Sequence, residues 1–128
     1  MMKNVILIGM PGCGKSTIGV VLAKVLGYRF IDGDLLIQEQ EGKLLSEIIA
    51  ERGNEGFLEI ENQVNRDLQA DRSVISPGGS VIYGKEAMEH YQEIGVVVYL
   101  KLGYEAPVSY THLDVYKRQV CKHLADSL

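Results

Sequence analysis

Eight consecutive residues, Gly9-Met-Pro-Gly-Cys-Gly-Lys-Ser16, satisfy every fixed position of the pattern G-x-x-x-x-G-K-[ST]. Glycines at 9, 12 and 14 let the backbone turn so that successive N–H groups converge on phosphate oxygens. A helix beginning near Lys15 adds its positive dipole end at the same point. Lys15 brings a full charge to the β- and γ-phosphates, the Ser16 hydroxyl suits Mg²⁺, and Thr17 is within reach of the α-phosphate. Gly12, Cys13, Gly14, Lys15, Ser16 and Thr17 are therefore the candidate nucleotide-binding residues, with ATP and Mg²⁺ the implied cofactors. Cys13 sits at a helix N-terminus, where a thiol pKa tends to fall. A redox role competes there with that of a small side chain that merely fits. The second is preferred, because the other cysteine, Cys121, is remote in sequence.

Two further clusters carry polar chemistry. Asp32-Gly33-Asp34 places two carboxylates one residue apart, able to point differently, one to a metal and one to an acceptor hydroxyl. A carboxylate that accepts the proton of a hydroxyl nucleophile is what phosphoryl transfer to an alcohol needs. Capping the following helix is the competing role, and Asp34 can fill that too. Ser76-Pro77-Gly78-Gly79-Ser80 offers backbone amides that approach a ligand closely, or simply a turn.

These residues need a frame. Val5 to Ile8 is a short apolar run suited to a strand buried on both faces. Ser16 to Leu26 carries Ile18, Val21, Leu22, Val25 and Leu26 at helical spacing, and Gly27 fits the stop. Tyr28 to Asp32 reads as a second strand. Helices follow at 35–40 and 45–52, with Gly53 as punctuation, and a longer amphipathic helix from Asn54 carries Phe57, Ile60, Val64 and Leu68 inward. Ser73 to Ser76 is a third strand, Lys85 to Tyr91 a helix and Val96 to Leu100 a fourth strand. A β-α-β pattern repeated in this way implies a parallel sheet covered by helices. The three polar clusters all follow strands, so they fall on one sheet edge.

The sequence has 128 residues, 46% of them hydrophobic and 23% charged, enough for one domain with one core and too apolar for intrinsic disorder. A net charge of −4 argues against a nucleic-acid binder, which needs many basic contacts to phosphate. Two cysteines make neither a disulfide framework nor a four-ligand metal site. Four apolar residues after the start are too few for a signal-peptide core, and no run is long enough to span a membrane. The expected setting is cytoplasmic and monomeric, without a nucleic-acid or membrane partner.

Residues 104–128 differ in texture. All fourteen glycines lie at or before Gly103, and Ala106 to Gln119 keeps no period of 3.6 or 2. An irregular lid is one account. The preferred one is that the α/β core ends near Glu105, and that residues 106–128 are an atypical tail foreign to it.

Together the clusters resemble the shikimate kinase family of P-loop kinases, over about Lys3 to Glu105. The likeness rests on G-M-P-G-C-G-K-S-T-I-G at 9–19, F-I-D-G-D-L-L-I at 30–37, G-N-E-G-F at 53–57 with Glu61, and V-I-S-P-G-G-S-V at 74–81. The resemblance implies a three-layer α/β/α kinase with a parallel sheet, its C-terminal part incomplete. It also implies transfer of the γ-phosphoryl group of ATP to a substrate hydroxyl, shikimate to shikimate 3-phosphate in aromatic amino-acid biosynthesis. By the same resemblance Asp32 organises Mg²⁺ together with Ser16, Asp34 binds the acceptor hydroxyl, and Gly78 and Gly79 lie in the substrate-binding glycine run; Lys15, Asp32 and Asp34 are the catalytic candidates.

Three departures stand out. Leu58 occupies the place of an arginine that pairs with the substrate carboxylate in the family, and leucine offers neither charge nor donors. Ser80 replaces the last glycine of the family's triplet, with Pro77 before the pair. The family's lid arginine, second substrate arginine, last strand and adenine-contacting loop have no counterpart, and Arg118 is no stand-in. A gluconate-kinase-like enzyme is the alternative, since F-x-D-G-D fits it too, and a nucleotide-binding fragment without catalysis is another. The adenylate-kinase pattern is excluded, because its residues after the lysine are absent.

Overall fold

The computed structural model of the chain describes residues 3–9 and 14–100. Gly12 and Cys13 of the phosphate loop, and the tail 106–128 with Arg118, lie outside the described residues. Along the chain run β1 (Asn4–Gly9), α1 (Lys15–Leu26), β2 (Arg29–Asp32), α2 (Gly33–Glu41), α3 (Leu45–Arg66), β3 (Ser73–Ser76), a 3₁₀ turn (Val81–Tyr83), α4 (Lys85–Ile94) and β4 (Gly95–Leu100). The four strands form one sheet in the order β2-β3-β1-β4, and every pairing is parallel.

The uninterrupted apolar run of β1 makes it a central strand. Val5 and Leu7 pack on one face with Ile18 and Leu22 of α1, Tyr28, Val74 and Leu100. Ile6 and Ile8 pack on the other with Ile75, Val81, Ala87 and Tyr91. Alternation of side chains along a strand divides one hydrophobic run between two cores in this way. A third cluster, Ile37, Ile48, Ile60 and Val64, joins α2 to α3.

Gly27 caps α1 as expected, in the left-handed conformation. The apolar stripe of α1 is wider than the face it buries, however: Ile18, Leu22 and Ala23 are inside, whereas Val21 and Val25 are 49% and 65% exposed. The two helices expected on either side of Gly53 are both present, follow one another directly as the two halves of α3, and are separated by a kink at that residue, whose φ of 73° and ψ of 175° leave the helical region. A side chain at 53 would meet the Cβ–carbonyl clash that glycine escapes. Ile48 before the break and Ile60 and Val64 after it pack with Ile37 of α2, and the half after it also carries Asn62 and Asn65 to α4.

Polar ties fix these elements. Asn4, at the start of β1, donates to the carbonyls of Ala70 (2.8 Å) and Ile94 (3.1 Å) and accepts from the Ser73 amide at 3.0 Å. Asn62 accepts from the Ala87 amide at 3.0 Å, at the N-terminal turn of α4. The buried Tyr91 hydroxyl donates to Asn65 Oδ1, and Asn65 Nδ2 donates to the Glu61 carbonyl at 2.7 Å. A buried hydroxyl left without such a partner costs about 1–3 kcal/mol.

Candidate active site

The sheet is parallel, so β1, β2 and β3 end at one edge, and the phosphate loop, Asp32 and Pro77 follow those ends directly. Helix α1 opens at this edge with Lys15 in its first turn. Lys15 Nζ donates to the Pro77 carbonyl at 2.7 Å, which ties the phosphate-loop lysine to the exit of β3. That bond gives a cation a neutral acceptor, one that a phosphate oxygen outcompetes through a charge-assisted bond. Ser16 and Thr17 are exposed beside it, with hydroxyls open to a ligand.

The carboxylates of the Asp-Gly-Asp segment diverge. Asp32 Oδ1 accepts from the amides of Asp34 (2.9 Å) and Leu35 (3.3 Å) and caps α2. The cap therefore belongs to Asp32, not Asp34, and α2 starts at Gly33, two residues before the expected Leu35. Relieved of capping, the Asp34 side chain turns toward Pro77-Gly78. Burial first, then the nearby Asp32 charge, raise its pKa above the usual aspartate value, against an opposing pull from Lys15.

Gly78 explains how the groups converge. A Cβ on this residue would lie 2.5 Å from Glu61 Oε2 and 2.7 Å from Asp34 Oδ1. Two carboxylates thus press on the space that a side chain at 78 would fill. Gly78 is buried and Gly79, the next residue, is exposed.

In the sequence Glu61 stands out only as part of a motif. It is 2% exposed, and its Oε1 accepts from the Ser80 hydroxyl at 2.7 Å. Burial raises its pKa; the Ser80 bond pulls the other way, Asp34 adds to the rise and Lys15 opposes it. A glutamate on an amphipathic helix next to Ile60 gives no sequence sign of burial; the turn from Gly78 to Ser80 comes against it only in the fold. Leu58, half-buried, precedes Glu61 by three residues and so shares its face of α3.

Among the described residues no three His, Cys, Asp or Glu side chains form a metal-binding group. Mg²⁺ does not require one, since it is usually held by one or two protein groups with phosphates and water. The exposed Ser16 hydroxyl and the Asp32 carboxylate, whose Oδ2 has no hydrogen bond among the described residues, fit that donor set.

The family model for shikimate kinase matches residues 11–125. A shikimate kinase from Clostridium botulinum is 39% identical over 124 residues, 95% of this chain and 73% of its own length. Among solved structures, the shikimate kinase of Acinetobacter baumannii in complex with shikimate superposes with a TM-score of 0.76 at 28% identity, over 94% of this chain and 80% of that one. A gluconokinase from Sinorhizobium meliloti is more distant, with a TM-score of 0.52 and 20% identity over 91% of this chain and 64% of that one, a likeness of fold alone.

Proposed function

The chain belongs to the shikimate kinase family, and from that premise we propose that it transfers the γ-phosphoryl group of ATP to a ring hydroxyl of shikimate, giving shikimate 3-phosphate. The observation that carries the proposal is the meeting of Lys15 and Asp34, the phosphate-side cation and the acceptor-side base, across the Pro77-Gly78 turn.

In this reading Lys15 exchanges the Pro77 carbonyl for the β- and γ-phosphate oxygens and holds the leaving and transferring groups in line. Backbone amides at the start of α1, with Gly12, Cys13 and Gly14 before it, cradle the phosphates. Ser16 and Asp32 would hold Mg²⁺ together with the nucleotide, and the ion would supply positive charge to the phosphates. Asp34 accepts the proton of the attacking hydroxyl as its oxygen approaches phosphorus. Its raised pKa brings it nearer the operating pH and makes it a better base than an ordinary aspartate. Gly78 and Gly79 leave their amides and the space above them to the sugar-like ring. We assign these roles to the core of residues 1–105 and infer a cytoplasmic, monomeric enzyme.

Replacement of Asp34 tests the assignment. Asp34→Asn keeps the shape and the Mg·ATP affinity but loses about 10²–10⁴ in turnover, the contribution of a positioned general base. Near-normal turnover in this variant, measured by ADP release coupled to a reporter enzyme, would remove Asp34 from the chemistry.

A further inference from the structure

The start of α2 and the exit of β3 meet backbone to backbone. Gly33, buried, is the first residue of α2, and a Cβ on it would lie 2.9 Å from Pro77 Cα, inside normal carbon contact distance. The Ser76 carbonyl oxygen and Asn65 Oδ1 would each stand 3.5 Å from the same Cβ. None of these walls yields easily. Two are main chain at the end of β3, and Asn65, fully buried, is bonded to the Tyr91 hydroxyl and to the Glu61 carbonyl. Pro77 is fully buried too, and its ring restricts φ where the turn begins. Gly33 lies outside the left-handed region that Gly14, Gly27, Gly42 and Gly53 occupy. Space, and not backbone conformation, asks for glycine at 33.

Each side of this contact carries a group of the transfer site. The Pro77 carbonyl accepts from Lys15 Nζ at 2.7 Å, and Asp34, the residue after Gly33, turns its Oδ1 to Gly78. Resting on the kinase reading, we propose that Gly33 and Pro77 are matched positioning residues, whose contact sets the spacing between the donor-side lysine and the acceptor-side aspartate. Asp32 is held separately, because it pairs with Ser76 in the sheet. A side chain at 33 therefore moves the start of α2 with Asp34 and leaves Asp32 and the nucleotide side in place. The acceptor hydroxyl is then held out of line with the γ-phosphorus, and water competes for the phosphoryl group.

Gly33→Ala, Pro77→Ala and the double variant are compared with the parent 128-residue chain on Mg·ATP and shikimate. Mg·ATP affinity is read by calorimetry, kcat and KM by ADP release, and the share of inorganic phosphate among the products by phosphorus NMR. Gly33→Ala should keep the Mg·ATP affinity and raise the share of inorganic phosphate. Its kcat should fall about tenfold to a hundredfold, as expected for a misplacement of about 1 Å. The product share does not depend on how much of a sample is folded, so a merely unstable variant leaves it unchanged. Pro77→Ala frees φ at the turn, which can then yield, so in that background Gly33→Ala should cost no more than about twofold. Where Gly33→Ala alone does not fold, the double variant should still fold and turn over as Pro77→Ala does. Parental kcat and product share in Gly33→Ala overturn the inference and leave the kinase reading standing. So does an equal loss in both backgrounds, or a loss confined to Mg·ATP affinity. A parent chain that binds Mg·ATP and never phosphorylates shikimate overturns the kinase reading and this inference with it.

Discussion

At the scale of single residues the site is a balance of one cation against three carboxylates, and the consequences of removing each differ. Lys15→Ala takes away charge-assisted bonds worth about 1.5–3 kcal/mol each and should weaken Mg·ATP binding at least about tenfold, with folding intact by circular dichroism. Unchanged affinity by calorimetry would contradict its assignment. Asp34 has a second signature, in stability. Its pKa is raised in the folded chain, chiefly by burial, so between the ordinary aspartate value and the raised one the folded state binds more protons than the unfolded state. Stability contributed by this group therefore falls as pH rises through that window. Asp34→Asn should then melt higher than the parent at neutral pH, with the gap closing towards about pH 4. Melting curves across that range check it, and a gap that is absent or widens on acidification would show that the burial cost lies elsewhere. Leu58→Arg should supply a cation on the Glu61 face and lower KM for shikimate more than it changes kcat, because a group remote from phosphorus contributes mostly uniform binding. An unaltered KM would place position 58 outside the acceptor site.

At the scale of elements, local signals in the sequence were sufficient where one residue type has one dominant use. Gly27 stopped α1, the Val-Ile-Leu-Ile run made β1, and the period of Phe57, Ile60 and Val64 made the second half of α3. Where two residues compete for one role, composition did not decide. Asp32 and Asp34 are chemically identical as caps, and the extended backbone of Asp32 awards the cap to it. Gly53 reads as a terminator in sequence, and its non-helical backbone does break α3 into two helical halves. The 3₁₀ turn at Val81–Tyr83 is too short to leave a period, and it is what brings Ser80 to Glu61. The polar seam between α3 and α4 was equally hidden, since Asn65 and Tyr91 are 26 positions apart. Asn65→Ala should cost about 1–3 kcal/mol by stranding the buried Tyr91 hydroxyl, read as a lower urea midpoint with unchanged slope. An unchanged midpoint would mean that the hydroxyl finds another partner.

At the scale of the whole molecule, the sequence implied a parallel α/β fold but not the order β2-β3-β1-β4, because strand pairing is a non-local choice that no window of residues records. That order sets β3 between β1 and β2, and so brings the Pro77-Gly78 turn between Lys15 and Asp34. The site is thus a product of topology as much as of motif. The chain spans 73% of the length of its Clostridium botulinum relative, and phosphoryl transfer demands that the described groups act together on a closed complex. The direct measurement is phosphorus NMR of the chain with Mg·ATP and shikimate. The account predicts one new phosphomonoester resonance growing in step with ADP, and its loss in Asp34→Asn while Mg·ATP still binds. ADP accompanied only by inorganic phosphate, or bound ATP that is never consumed, would contradict it.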